Sequence, residues 1–85
     1  MADKSEFLVQ VIGFLNRWSR RRALDVEVGP DTHLFETKIL DSVGFLELMT
    51  YLQVELEVVV PDKMLSVEFF QTARMVADNF SPLAA

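Results

Sequence analysis

Eighty-five residues allow one small domain, and 51% hydrophobic with 25% charged side chains fit a soluble globular chain rather than a disordered one. Eight basic against thirteen acidic side chains leave a net charge of −5, which disfavours nonspecific binding of nucleic acid or of an anionic membrane. The absence of cysteine excludes disulfides, thiolate nucleophiles and zinc–cysteine sites, and the single histidine, His33, excludes a multi-histidine metal cluster.

A first helix is predicted over residues 5–22. Phe7, Leu8, Val11, Ile12, Leu15 and Trp18 recur at three- and four-residue spacing and form one apolar stripe. Asp3 and Glu6 sit at the positive end of this helix, and Arg20, Arg21 and Arg22 at the negative end. Gly13 weakens the interior by roughly 1 kcal/mol relative to alanine without forbidding it. Trp18 reads as packing. The three arginines read as a solvated helix end, with a contact to an acidic partner or a membrane surface as the alternative. Residues 1–22 carry five basic and two acidic side chains; the remainder carries three basic and eleven acidic ones. The halves are thus +3 and −8, which places the acidic face beyond the first helix.

Residues 23–41 read as a long loop, broken at Gly29-Pro30 and continued by Asp31 and Thr32. Leu34, Phe35, Ile39 and Leu40 require it to lie over the core, and a connection this long in a small bundle points to function. His33 reads as structural or simply exposed. The second helix is expected to start at Asp41 or Ser42, both good helix-start residues, and to reach about Glu55. Its predicted apolar stripe is Val43, Leu46, Met49, Leu52 and Leu56, with Glu47, Thr50, Gln53 and part of Tyr51 outward. Val58, Val59 and Val60 read as an extended connection over the core, with no partner strand and a stop at Pro61. Ser66 is the expected cap of a short helical turn over 67–70, anchored by Phe69 and Phe70. A final helix over 72–80 buries Ala73, Val76 and Phe80, and Pro82 ends it. Met49, Met64 and Met75 read as adaptable packing. Three substantial helices and a short one make a small all-α bundle, as one domain over 1–85 with its core in about 5–80. No run reaches transmembrane length, so stable membrane insertion is not expected. The N-terminal segment lacks a secretory pattern, and a cytoplasmic location is expected.

Ser42 stands where the loop meets the second helix, in Leu40-Asp41-Ser42-Val43-Gly44. A hydroxyl here can face solvent on a rigid backbone, and the first helix amides favour a nearby anion. The plain reading is a helix cap. A catalytic serine is disfavoured, since there is no G-x-S-x-G arrangement and His33 is the sole histidine base. No basic kinase context surrounds it.

Asp31-Thr32-His33-Leu34-Phe35, then Leu40-Asp41-Ser42-Val43 with Glu47 and Leu48, then Pro61-Asp62 and Ser66-Val67-Glu68-Phe69-Phe70 stand in one register. In these residues, and from the first helix through Phe80, the chain resembles the acyl carrier and peptidyl carrier family. The resemblance implies an acyl-carrier-like four-helix bundle with three major helices, one short helix and a long loop between helices one and two. It implies a non-catalytic, monomeric carrier without a metal. Ser42 is the position matching covalent attachment of phosphopantetheine, delivered from coenzyme A by a phosphopantetheinyl transferase. The arm's thiol then holds acyl or aminoacyl groups as thioesters. An acyl- or aminoacyl-loading enzyme and a downstream synthase or transferase are the other implied partners, in fatty-acid, polyketide or specialised biosynthesis. Asp41 is implied to present Ser42 and attract basic surfaces, Glu47 to contact partners, and Val43 and Leu46 to flank the attachment site or serve in the core. The chain departs from the family's fatty-acid members at Val43 and Gly44, and in the less acidic run Gln53-Val54-Glu55-Leu56. Gly44 is expected to remove charge and bulk near the arm, and Tyr51 with Val54 to give a more apolar docking face. These departures fit a dedicated partner in a specialised pathway. The competing reading is a noncatalytic helical adaptor that binds a protein through its acidic face.

Overall fold

The computed structural model describes residues 4–24 and 26–84. Helix α1 (Lys4–Arg21) is followed by the long loop, then α2 (Ser42–Val54) and α3 (Ala73–Phe80). Single 3₁₀ turns occupy Asp62–Met64, Val67–Phe69 and Ser81–Leu83. The molecule is a small all-α domain with three major helices. The short helix expected before the last one is the three-residue 3₁₀ turn Val67–Phe69.

The α1 stripe forms as its spacing requires. Phe7, Val11, Leu15 and Trp18 are buried, while Leu8 and Ile12 pack partly exposed at its edge. Asp3, expected at the start of this helix, lies outside the described residues. The helix stops at Arg21 because the chain turns at Ala23, whose φ of 56° is left-handed. Helix α3 packs chiefly on α1, and Lys4 pairs with Asp78 across the two. Its buried side is Ala73, Val76, Ala77 and Phe80, and Thr72 caps it by accepting the Met75 N–H at 3.1 Å.

The loop lies over the core as expected, with Val28, Leu34, Ile39 and Leu40 buried. It is fastened on both sides by satisfying its own backbone groups, which burial makes obligatory. Towards α1, Asn16 accepts the Val28 N–H at 2.8 Å and donates back to the Val28 carbonyl at 3.1 Å. The Ser19 hydroxyl donates to the carbonyls of Leu24 and Val26. Towards α3, the Leu34 N–H donates to the Gln71 carbonyl at 2.8 Å, and the Arg74 N–H to that of Pro30 at 2.9 Å. The Arg74 guanidinium also forks onto both carboxylate oxygens of Asp31.

The buried face of α2 differs from the predicted one. Gly44, Leu48 and Leu52 are buried, whereas Val43 and Leu46 are 53% and 65% exposed. Apolar residues lie on every side of this helix, and the face that packs is the one whose small residue, Gly44, permits close approach to α1. The valine run is an extended connection as expected: Val58 is buried and makes one isolated antiparallel bridge with Ala84, and no strand forms among the described residues. One further expectation is corrected. Ser66 occupies the cap position but makes no cap bond, and its hydroxyl oxygen is buried without a partner among the described residues.

Candidate functional site

The start of α2 is set by Asp41. Its backbone is extended, and one carboxylate oxygen accepts the Gly44 N–H at 2.8 Å while the other accepts from Arg22 Nη2 at 2.8 Å. Its carbonyl receives the Phe45 N–H at 2.8 Å. The Gly44 N–H, reinforced by the charge of Arg22, holds the Asp41 carboxyl below the ordinary aspartate range against a smaller opposing effect of desolvation.

Asp41 therefore takes the cap that Ser42 was read as filling. Ser42 is the first residue inside the helix, exposed, and its hydroxyl makes no hydrogen bond among the described residues. No base touches it. The first amides of a helix point outward without an internal acceptor, and the helix dipole adds positive potential there. An anionic group joined to Ser42 Oγ would meet both.

The five residues singled out from the sequence share this exposed opening stretch: Asp41, Ser42, Val43, Leu46 and Glu47 are all solvent-accessible. Ser42 and Leu46 stand one turn apart, as do Val43 and Glu47. Beside Ser42 runs an open, largely apolar groove of about 580 Å³, lined by Phe35, Asp41, Phe45, Leu46 and Val67. Phe35, Phe45 and Val67 come from three different segments, so no local spacing in the sequence joins them into one wall.

One sequence expectation about α2 does not hold: Gly44, expected to clear space near an arm on Ser42, is buried and faces the indole of Trp18. Tyr51 is half-buried, in keeping with its expected partly outward place; its ring stacks on Phe14 at 4.5 Å and its hydroxyl donates to the Gln10 carbonyl. Val54 alone of that pair is strongly exposed, at 67%. Sequence reasoning also passed over Arg22, which it placed at a solvated helix end. Its position one turn after Trp18 was the available signal, because the guanidinium lies 5.3 Å from the indole centroid and reaches Asp41 from there. His33 is exposed in the loop as expected, and no cluster of potential metal ligands occurs among the described residues.

A family model described as the phosphopantetheine attachment site matches residues 14–80, from the middle of α1 to the end of α3. No curated protein matches the chain.

Proposed function

The chain belongs to the phosphopantetheine attachment-site family, and on that premise we propose that Ser42 is the residue that receives the group. As a member, the protein is a phosphopantetheine carrier and a non-catalytic one: chemistry on the cargo is the work of other enzymes. The observation that carries the assignment to Ser42 is its exposed hydroxyl, without an internal hydrogen bond, in the first turn of a helix capped by its neighbour Asp41. The outward amides of that turn suit a phosphodiester, and the adjacent apolar groove suits the uncharged body of an arm or its cargo.

In this reading Ser42 Oγ attacks the coenzyme A phosphorus that bears the pantetheine moiety. A new P–O bond forms to Oγ, the pyrophosphate bridge breaks, and 3′,5′-ADP leaves with the bonding electrons. The hydroxyl proton passes to a base of the phosphopantetheinyl transferase, since no base among the described residues bonds to Oγ. Once attached, the group supplies a mobile thiol that carries acyl or aminoacyl units as thioesters. The chain's own part is to present Ser42 and to be recognised. Asp41 fixes the helix start, Glu47 offers an exposed acid to basic partner rims, and Val43 and Leu46 offer apolar contact on either side of Ser42. The transferase, an acyl- or aminoacyl-loading enzyme and a downstream synthase or transferase are the partners. Exposed Val43, Leu46 and Val54 beside Glu47 favour a dedicated partner in specialised biosynthesis over a standard fatty-acid role.

The carrier reading takes the chain as one monomeric, cytoplasmic domain over 1–85 with its core in about 5–80, a four-helix bundle when the turn Val67–Phe69 is counted as the short helix. No described helix is long and apolar enough to cross a membrane. The adaptor reading has no observation of its own to carry it.

The test is direct. Incubating the purified chain with coenzyme A and a broad-specificity phosphopantetheinyl transferase is expected to raise its intact mass by about 340 Da, the mass of the transferred group. Fragmentation should place the increment on Ser42, and Ser42→Ala should abolish it. A folded chain that takes up nothing from several transferases, or takes it up elsewhere, defeats the assignment.

A further inference from the structure

The side chain of Ser42 takes no part in holding its own place, so its position is imposed by the residues around it. Those residues form a closed circuit between the end of α1 and the start of α2. The Trp18 indole N–H donates to the Ile39 carbonyl at 3.0 Å, gripping the loop three residues before Ser42. Arg22 lies over the same indole and donates to Asp41, directly before Ser42. Asp41 in turn accepts the Gly44 N–H, two residues after Ser42. Gly44 closes the circuit by resting against the indole: a Cβ there would stand 2.9 Å from Trp18 Nε1, 3.2 Å from Trp18 Cε2 and 3.1 Å from Leu40 Cδ2. A ring is not a flexible chain end. Relieving that clash means moving the indole off the Ile39 carbonyl or tilting the first turn of α2, and either displaces Ser42.

We propose that Trp18, Arg22 and Gly44 are positioning residues for the modification of Ser42, acting as one lock on the junction rather than as three independent packing contacts. The proposal rests on Ser42 being the attachment residue. Trp18 is buried and belongs to the core, but its indole N–H holds the segment before Ser42 and its ring carries Arg22, which reaches Asp41, and this distinguishes it from Val11 or Leu15 on the same stripe. Ser42 Oγ must meet a phosphorus held by another protein, and a misplacement of about 1 Å in such an encounter is felt chiefly in the rate of the bound complex.

The experiment measures kcat and KM of phosphopantetheine transfer with the full chain as varied substrate and coenzyme A saturating, for wild type, Gly44→Ala, Trp18→Phe, the Trp18→Phe/Gly44→Ala double variant and Arg22→Met. Val76→Ala, a core truncation on α3, serves as a control of lowered stability. Gly44→Ala and Arg22→Met are expected to lower kcat on the order of tenfold with little change in KM. Amide exchange at Gly44 and Phe45 should rise selectively in both. Val76→Ala should transfer at the wild-type kcat. Phenylalanine lacks the Nε1 atom that a Cβ at residue 44 would meet, so Gly44→Ala should add almost nothing to the defect of Trp18→Phe. Equal slowing by Gly44→Ala in both backgrounds overturns the lock, as does a comparable loss in Val76→Ala. An effect of Arg22→Met confined to KM marks a transferase contact and removes Arg22 from the lock. Should Gly44→Ala fail to fold, unchanged kcat in Arg22→Met and Trp18→Phe overturns the proposal. A wild type modified at Ser42, with all variants at wild-type kcat, defeats the lock alone; a wild type not modified at Ser42 defeats the attachment reading and the lock with it.

Discussion

Asp41 and Asp31 each receive an arginine, and both carboxyls lie below the ordinary aspartate value of 3.8. For Asp31 the leading cause is the hydrogen bond from Arg74; for Asp41 it is the Gly44 N–H, with Arg22 adding to it. A depressed folded pKa means that each contribution to stability is complete above the unfolded value and vanishes as pH falls through the folded one. Asp31→Asn should therefore lower the urea midpoint at neutral pH, and the gap to wild type should close as the pH drops below 3.8. Both pairs are largely exposed, so added salt should narrow the same gap at neutral pH. A gap that widens on acidification contradicts the ion-pair account. Asn retains the ability to cap a helix, so Asp41→Asn should keep the α2 start while releasing Arg22.

At the scale of the elements, α3 is the most exposed to loss of a single cap, because eight residues give it few internal hydrogen bonds. Thr72→Ala removes the acceptor for the Met75 N–H at a buried position, and should lower the unfolding free energy by about 1–2 kcal/mol; Thr72→Ser should restore most of it. Denaturant titration of the three proteins reads this directly. Helices α1 and α3 were legible because each has one apolar face and no rival. Helix α2 was not: Val43, Phe45, Leu46, Leu48, Met49, Leu52 and Val54 surround it, and two stripes satisfy the same spacing. Shape chose between them, since only the face with Gly44 admits the Trp18 ring. The helix start at Asp41 and Ser42 was legible because its signal is local, whereas the attachment role given to Ser42 came only from the resemblance carried by Asp31-Thr32-His33-Leu34-Phe35, Pro61-Asp62 and Ser66-Val67-Glu68-Phe69-Phe70 in register with it. Contacts such as Arg22 with Asp41, or Arg74 with Asp31, join residues 19 and 43 positions apart and leave no periodic trace.

The molecule as a whole is tied together by an aromatic chain. The Phe70 ring meets Phe45 of α2 edge-on at 4.8 Å and stacks on Phe80 of α3 at 4.9 Å, so one buried side chain from the connecting segment joins two helices. Phe70→Ala should remove about 3–5 kcal/mol. A domain of this size holds roughly 5–15 kcal/mol in total and sits towards the lower end of that range, so the variant should be largely unfolded at moderate temperature. Calorimetry that finds a melting point near that of wild type would show the chain to be redundant. The acids of the later segment are exposed at Glu47, Glu55, Glu57, Asp62 and Glu68, while Asp41 and Asp78 pair with Arg22 and Lys4 of the first segment.

The chain's one tryptophan, 5% exposed, sits under two arginines and against the junction that carries Ser42. Ultraviolet excitation of the untagged protein therefore reports on a single known place. A shift in emission colour or intensity on arm loading or partner docking can be assigned to that corner of the molecule without a dye.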